Sequence, residues 1–154
     1  MKHLLLFLVL PLLTFGQADQ EAMSSDEWLK SYDNAMNQAA QTDKNVLIYF
    51  TGSDWCPPCK MLQSDLFDSA EFAALSQNYV LLYIDIPMNK DLLTPEQLEH
   101  NKKLSTKLNP KGSVPLIKIL SKKGKELDKY AGYSMSGDTQ YHIEILERHQ
   151  SIVK

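Results

Sequence analysis

A chain of 154 residues is long enough for one domain with a sizeable core. Its 44% hydrophobic content is that of a globular protein and excludes a disordered chain. A formal net charge of −3 lacks the basic surplus of a nucleic-acid binder, so no nucleic-acid partner is expected.

Lys2 and His3 precede an apolar run from Leu4 to Phe15, broken only by Pro11 and Thr14, and Gly16, Gln17 and Ala18 follow. A charged start, a short apolar stretch and a small-residue exit describe a secretory signal peptide. The run falls short of the roughly 20 residues that a helix needs to cross a bilayer. The expectation is a cleaved segment 1–18, a domain over 19–154, and a periplasmic or secreted product with no stable membrane anchor. Cysteine is absent near the exit, which argues against lipid attachment.

Ser24 and Glu27 form a capping-box pattern ahead of Trp28, Leu29, Tyr32 and Met36, predicting a helix to about Gln41. Val46 to Phe50 is a continuous apolar run, the pattern of a strand buried on both faces. Cys56 to Phe67 should be a helix with Met61, Leu62 and Leu66 inward. Asp68 and Glu71 suggest a cap for a short helix through Phe72 and Leu75. Tyr79 to Ile86 reads as a second buried strand, and Pro87 to Asp91 as a loop. Thr94, Pro95 and Glu96 open a helix that should run to about Leu108, where Asn109, Pro110, Lys111 and Gly112 break it. Leu116 to Leu120 and Glu126 to Tyr130 form a predicted hairpin with Gly124 in its turn. The lysines at 122, 123 and 125 belong to that turn and not to a binding patch. Gly132 ends the hairpin, and a last helix spans about Asp138 to His149. Strands joined by helices should run parallel and the late hairpin antiparallel, giving an α/β protein: a mixed central β-sheet with helices on both faces.

The chemistry lies in Thr51-Gly52-Ser53-Asp54-Trp55-Cys56-Pro57-Pro58-Cys59-Lys60, directly after the first strand. Both cysteines of the chain are here. A disulfide between them would close too short a loop to stabilise a fold much, so a chemical role explains the pair better. A helix N-terminus favours a thiolate at Cys56, and the thiolate is the form that attacks disulfides. Cys59, three residues on, can reach back to displace a partner held in a mixed disulfide. The expected roles are Cys56 as the exposed nucleophile and Cys59 as the more buried resolving thiol. Pro57 and Pro58 fit a first helical turn but remove two N–H donors. Asp54 should raise the thiol pKa and Lys60 should lower it. Trp55 reads equally as an apolar platform beside the cysteines or as ordinary core.

Trp55-Cys56-Pro57-Pro58-Cys59-Lys60 after a core strand, with Ser113-Val114-Pro115 before another, resembles the thioredoxin superfamily, and most of all its exported bacterial members. The resemblance covers about Asn45 to His149. It implies a thioredoxin-like fold, thiol–disulfide oxidoreductase activity and a redox-active Cys56–Cys59 disulfide. It also implies a cis Pro115 against the cysteine pair, and a substrate groove of Trp55, Val114 and Pro115, with the Val114 backbone pairing with an extended peptide. One departure stands out. Thioredoxins usually carry a buried acid in the first core strand that moves protons at the resolving cysteine. Here Tyr49 or Phe50 takes about that place, leaving water or another acid, such as Asp54, for the task.

No phosphate loop, dinucleotide fingerprint or serine nucleophile motif is present. No cofactor is therefore expected. Electrons would pass between this chain, protein thiols or disulfides, and an upstream redox protein. The chain is expected to be a monomer and slightly favoured as a reductase. Two alternatives remain at this stage: a copper(I) carrier using both cysteines and a distant histidine, and a client-binding chaperone. No metal site is otherwise expected, and His100, His142 and His149 read as solvated helix residues. Glu96 with Glu99, and Glu144 with Glu147, read as wet helix faces. Tyr130 and Tyr133 read first as strand packing and second as groove contacts. The 85–108 stretch, longer than in a minimal thioredoxin, reads either as a determinant of partner choice or as only an extended connection.

Overall fold

The computed structural model describes residues 28–151. The elements run α1 (Tyr32–Thr42), β1 (Asn45–Thr51), α2 (Pro57–Leu62), α3 (Ala70–Ser76), β2 (Tyr79–Asp85), α4 (Pro95–Leu108), β3 (Leu116–Leu120), β4 (Glu126–Ala131) and α5 (Gln140–His149). Their order matches the expected one. Segment 1–18, with Ser24 and Glu27, lies outside the described residues. Among the described residues no helix is long and apolar enough to cross a membrane.

The sheet order is β2-β1-β3-β4. β1 pairs parallel with β2 and antiparallel with β3, and β3 pairs antiparallel with β4. Period-2 alternation divides the apolar strands between two cores. Leu47, Tyr49, Tyr79, Leu81, Ile117 and Ile119 face Leu62, Leu66 and Phe67, Phe72 of α3, and Leu146 of α5. Val46, Ile48, Phe50, Val80, Leu82 and Ile84 face Ala35 and Ala39 of α1 and Leu104 of α4. The mixed sheet thus has helices on both faces, as the pattern of continuous apolar strands requires.

Several boundaries differ from expectation. α1 begins at Tyr32, and its cap is Ser31, whose Oγ accepts from the Asn34 amide. Before it, Leu29 bridges β2: its N–H donates to the Leu81 carbonyl at 2.9 Å, and the Tyr83 N–H donates to its carbonyl at 2.8 Å. Trp28 meanwhile packs among Tyr49, Phe67, Phe72 and Tyr83. These two apolar residues serve tertiary contacts and not a helix face. The second helix is α-helical only to Leu62. It continues as one π-helical stretch over Gln63–Phe67, closed by the Asp68 N–H donating to the Gln63 carbonyl at 2.9 Å. Leu62, Leu66 and Phe67 are buried, while Met61, expected inward, is 39% exposed. Ser69 and not Asp68 caps α3, its Oγ accepting from the Phe72 N–H at 3.1 Å. α5 starts at Gln140, two residues later than expected.

Thr94 caps α4 as read, and Gly124 turns the hairpin at φ +78, donating to the Ser121 carbonyl at 2.8 Å. In that turn Lys122 pairs with Asp43. Edge strand β4 carries the charged residues Glu126, Asp128 and Lys129, which discourage edge-to-edge pairing.

Candidate active site

Cys56 and Cys59 are joined in a disulfide, with Cα atoms 5.3 Å apart. Strand β1 delivers the chain to this point, and a tight turn reverses it. The Trp55 and Cys56 amides donate to the Gly52 carbonyl at 3.2 and 2.9 Å. Cys56 is the N-cap of α2 in extended conformation. Pro57 and Pro58 have no amide hydrogen, so Cys59 supplies the first backbone donor of the helix. It is shared between the Cys56 carbonyl at 3.1 Å and Cys56 Sγ at 3.2 Å. The sulfur thus takes the place of an ordinary side-chain cap. Exposure does not separate the two cysteines as expected: Cys56 is 3% and Cys59 2% accessible in the disulfide form. Their difference lies in position, one at the cap and one inside the first turn.

Trp55 is not part of the buried core. It is 39% exposed, and its Nε1–H donates to the Ile86 carbonyl at 2.8 Å. The indole lies on Gly52, where a Cβ would come within 2.4 Å of the ring. Asp54 is occupied as a clamp on the loop after β2, accepting from the Met88 N–H at 3.0 Å and the Asn89 N–H at 2.8 Å. Those amides, the Asn89 N–H foremost, with the charge of Lys60 nearby, hold its carboxyl below the usual range against a smaller effect of desolvation. Both of its oxygens are taken by backbone amides, which cannot relay a proton, so the suggestion that Asp54 replaces the missing buried acid does not fit. Lys60 Nζ reaches the Asp54 carbonyl at 3.5 Å.

The Val114–Pro115 bond is cis. Leu116 pairs with Phe50, so Val114 and Pro115 enter β3 at the end of the sheet from which the cysteine turn leaves β1. Pro115 is buried and its carbonyl accepts from the Gly132 N–H at 2.8 Å.

Of the two residues considered for the missing acid, Tyr49 faces the cysteines and Phe50 the opposite core. The Tyr49 hydroxyl donates to the Cys59 carbonyl at 3.1 Å. Burial pushes its phenol up to about 12. A carboxylate was nonetheless missed. Asp85, the last residue of β2, is 5% exposed and accepts from Ser53 twice: from N–H at 2.9 Å and from Oγ–H at 2.6 Å. Asn101 of α4 secures this strand end by donating to the Asp85 carbonyl at 2.8 Å. An acidic residue closing an otherwise apolar buried strand was the available signal.

The histidines are not solvated as expected. His142 is 2% exposed and stands edge-on to Tyr130 and Tyr133. His100 Nε2 accepts from the Tyr32 amide at 3.1 Å. His149 meets Asp128 at 3.0 Å. Among the described residues no group of three or more His, Cys, Asp or Glu side chains is placed to hold a metal. Tyr133 packs in the core and donates to Asp65 at 2.5 Å, and Tyr130 stacks on Tyr141. Both follow the packing reading.

A family model described as thioredoxin-like matches residues 27–121. Disulfide bond reductase DsbH of Chlamydia pneumoniae is 28% identical over 121 residues, 78% of this chain and 70% of that protein. Thioredoxin-related protein DsbJ of Chlamydia pneumoniae is 26% identical over 147 residues, 90% of this chain but 41% of that protein. The solved structure of DsbH oxidoreductase superposes with a TM-score of 0.70 at 25% identity, covering 86% of this chain and 90% of that one. With its paired cysteines at the start of α2, the chain belongs to the thioredoxin-like family and is a thiol–disulfide oxidoreductase.

Proposed function

We propose that the chain works as an exported thiol–disulfide reductase, with residues 1–18 removed as a signal peptide and the 19–154 domain active in the periplasm or outside the cell. The observation that carries this reading is the Cys56 sulfur at the N-cap of α2, receiving the Cys59 amide. That hydrogen bond and the helix N-terminus would stabilise a thiolate there, the species that attacks a disulfide. In the forward reaction the Cys56 thiolate attacks a partner disulfide, forming a mixed disulfide and releasing one partner thiolate. Cys59, deprotonated, attacks Cys56 Sγ, releases the second thiolate and closes the Cys56–Cys59 disulfide. An upstream redox protein then returns two electrons and two protons. Trp55, Val114 and Pro115 would border the groove that receives the partner chain. The direction draws support from the name of the relative described as a disulfide bond reductase.

Cysteine variants test the assignment. Cys56→Ser should abolish turnover of a protein disulfide, and Cys59→Ser should accumulate partner proteins as mixed disulfides that dithiothreitol releases. Full turnover by Cys56→Ser would sink the mechanism.

A further inference from the structure

The buried Cys59 thiol must lose a proton before it can attack, and an ordinary thiol with a pKa near 8.5 is only a few per cent thiolate at pH 7. A nearby base therefore governs the resolving step. Cys59 borders a pocket of about 200 Å³. Its other walls are Tyr49, Thr51, Ser53, Lys60, Gln63 and Tyr83. More of its lining surface is apolar than polar, yet each of these residues brings a polar atom, and the space is large enough to admit water. Ser53 is the wall that leads further, because its hydroxyl donates to Asp85 Oδ2 at 2.6 Å.

The strand period explains the placement. Tyr79, Leu81 and Tyr83 alternate towards the α2 face of β2, and Asp85 is the next residue in that series. It pairs in register with Thr51 of β1, whose own neighbour on this face is Tyr49. The carboxylate ends up beneath the cysteine turn, buried, and joined to no cation among the described residues. The ionisable groups around it are Tyr49, Tyr83 and Lys60 on the pocket side, and Lys90, Glu99 and Lys102 across the strand end.

We propose that Asp85, acting through the Ser53 hydroxyl and the pocket beside Cys59, is the proton acceptor for the resolving cysteine. This rests on the roles given above to Cys56 and Cys59. In the mixed disulfide, the Cys59 thiol proton passes by pocket water to Ser53 Oγ, and the Ser53 hydroxyl proton passes to Asp85. The Cys59 thiolate attacks Cys56 Sγ; the Cys56–Cys59 bond forms and the bond to the partner sulfur breaks. The partner leaves as a thiolate and takes a proton from solvent, and Asp85 releases its proton to solvent. Over the two attacks, the partner's two sulfurs are reduced by the two electrons that the Cys56–Cys59 pair gives up. Asp54, on the other side of the turn, is committed to the loop amides and is not needed.

The test uses the reduced protein and Ellman's reagent in stopped flow. Attack by Cys56 releases one coloured thiolate, and resolution by Cys59 releases a second. Cys59→Ser, giving the first release only, identifies the phases. Asp85→Asn and Ser53→Ala should each slow the second phase about tenfold or more at pH 7 and leave the first within about twofold. Ser53→Thr, which keeps the hydroxyl, should restore it. The deficit should close above about pH 9, where solvent alone removes the thiol proton. If Asp85→Asn does not fold, Ser53→Ala decides. A second phase unchanged at pH 7, or a deficit equal at every pH, would overturn the assignment of Asp85. A native protein with no first phase would instead overturn the role of Cys56.

Discussion

Replacing Gly52 by alanine should unseat Trp55. The new Cβ would lie 2.4 Å from Cε2, 2.5 Å from Nε1 and 2.7 Å from Cζ2 of the indole. The backbone cannot retreat easily, because the Gly52 carbonyl holds both the Trp55 and Cys56 amides and so shapes the turn that presents the cysteine. The indole must therefore swing away and give up its hydrogen bond to the Ile86 carbonyl. A neutral hydrogen bond contributes about 1 kcal/mol net, and overpacking costs about 1–3 kcal/mol, with relief here because one face of the ring is open to solvent. A total of about 1–3 kcal/mol follows, or a fall in Tm of roughly 3–10 °C for a domain of this size. Urea unfolding of the oxidised protein measures it. A double-mutant cycle isolates the cause: in a Trp55→Ala background the alanine at 52 should cost less than about 0.5 kcal/mol. The reasoning is refuted if Gly52→Ala is as destabilising without the indole as with it, or is neutral with it.

Burial pushes the imidazole of His142 below its usual range, against smaller opposing effects of the Gly132 backbone and Asp138. The unfolded chain takes up a proton there below about pH 6.5 that the folded chain refuses, so stability is full above that value and declines as pH falls through it. His142→Leu should flatten the change in unfolding free energy between pH 7.5 and 5.5, and an unaltered slope would count against the buried neutral histidine. Phe72 is fully buried between Phe67, at 4.9 Å between ring centroids, and the parallel indole of Trp28 at 6.1 Å. Phe72→Ala should cost about 3–5 kcal/mol in chemical denaturation and alter Trp28 fluorescence; a cost below about 1 kcal/mol would show that this cluster is not the core of the α3 face.

The sheet and the cysteine turn were legible because their signals are local. β1 and β2 are runs of apolar residues long enough to cover both faces, and the hairpin turn carries its glycine where φ must be positive. What escaped depended on neighbours distant in sequence. Trp28 and Leu29 have helical spacing with Tyr32, but aromatic packing and a bridge to β2 outweigh that propensity. His142 has the spacing of a wet helix residue, yet α5 turns it onto Tyr130 and Tyr133. Asp54 was visible as a charge beside the cysteines, but its engagement with the Met88 and Asn89 amides depends on a loop over thirty residues away. Asp85 was hidden for a related reason. Its partner Ser53 is adjacent only once β1 and β2 lie parallel in register.

The reduction potential of the protein, equilibrated in dithiothreitol or glutathione buffers and followed by Trp55 fluorescence, tests the central claim most directly. A reversible two-electron couple near that of thioredoxin, about −270 mV, is the result predicted for a reductase. A value near −120 mV would contradict the proposed direction, since such a disulfide is a strong oxidant. Absence of any reversible couple would contradict the exchange mechanism itself.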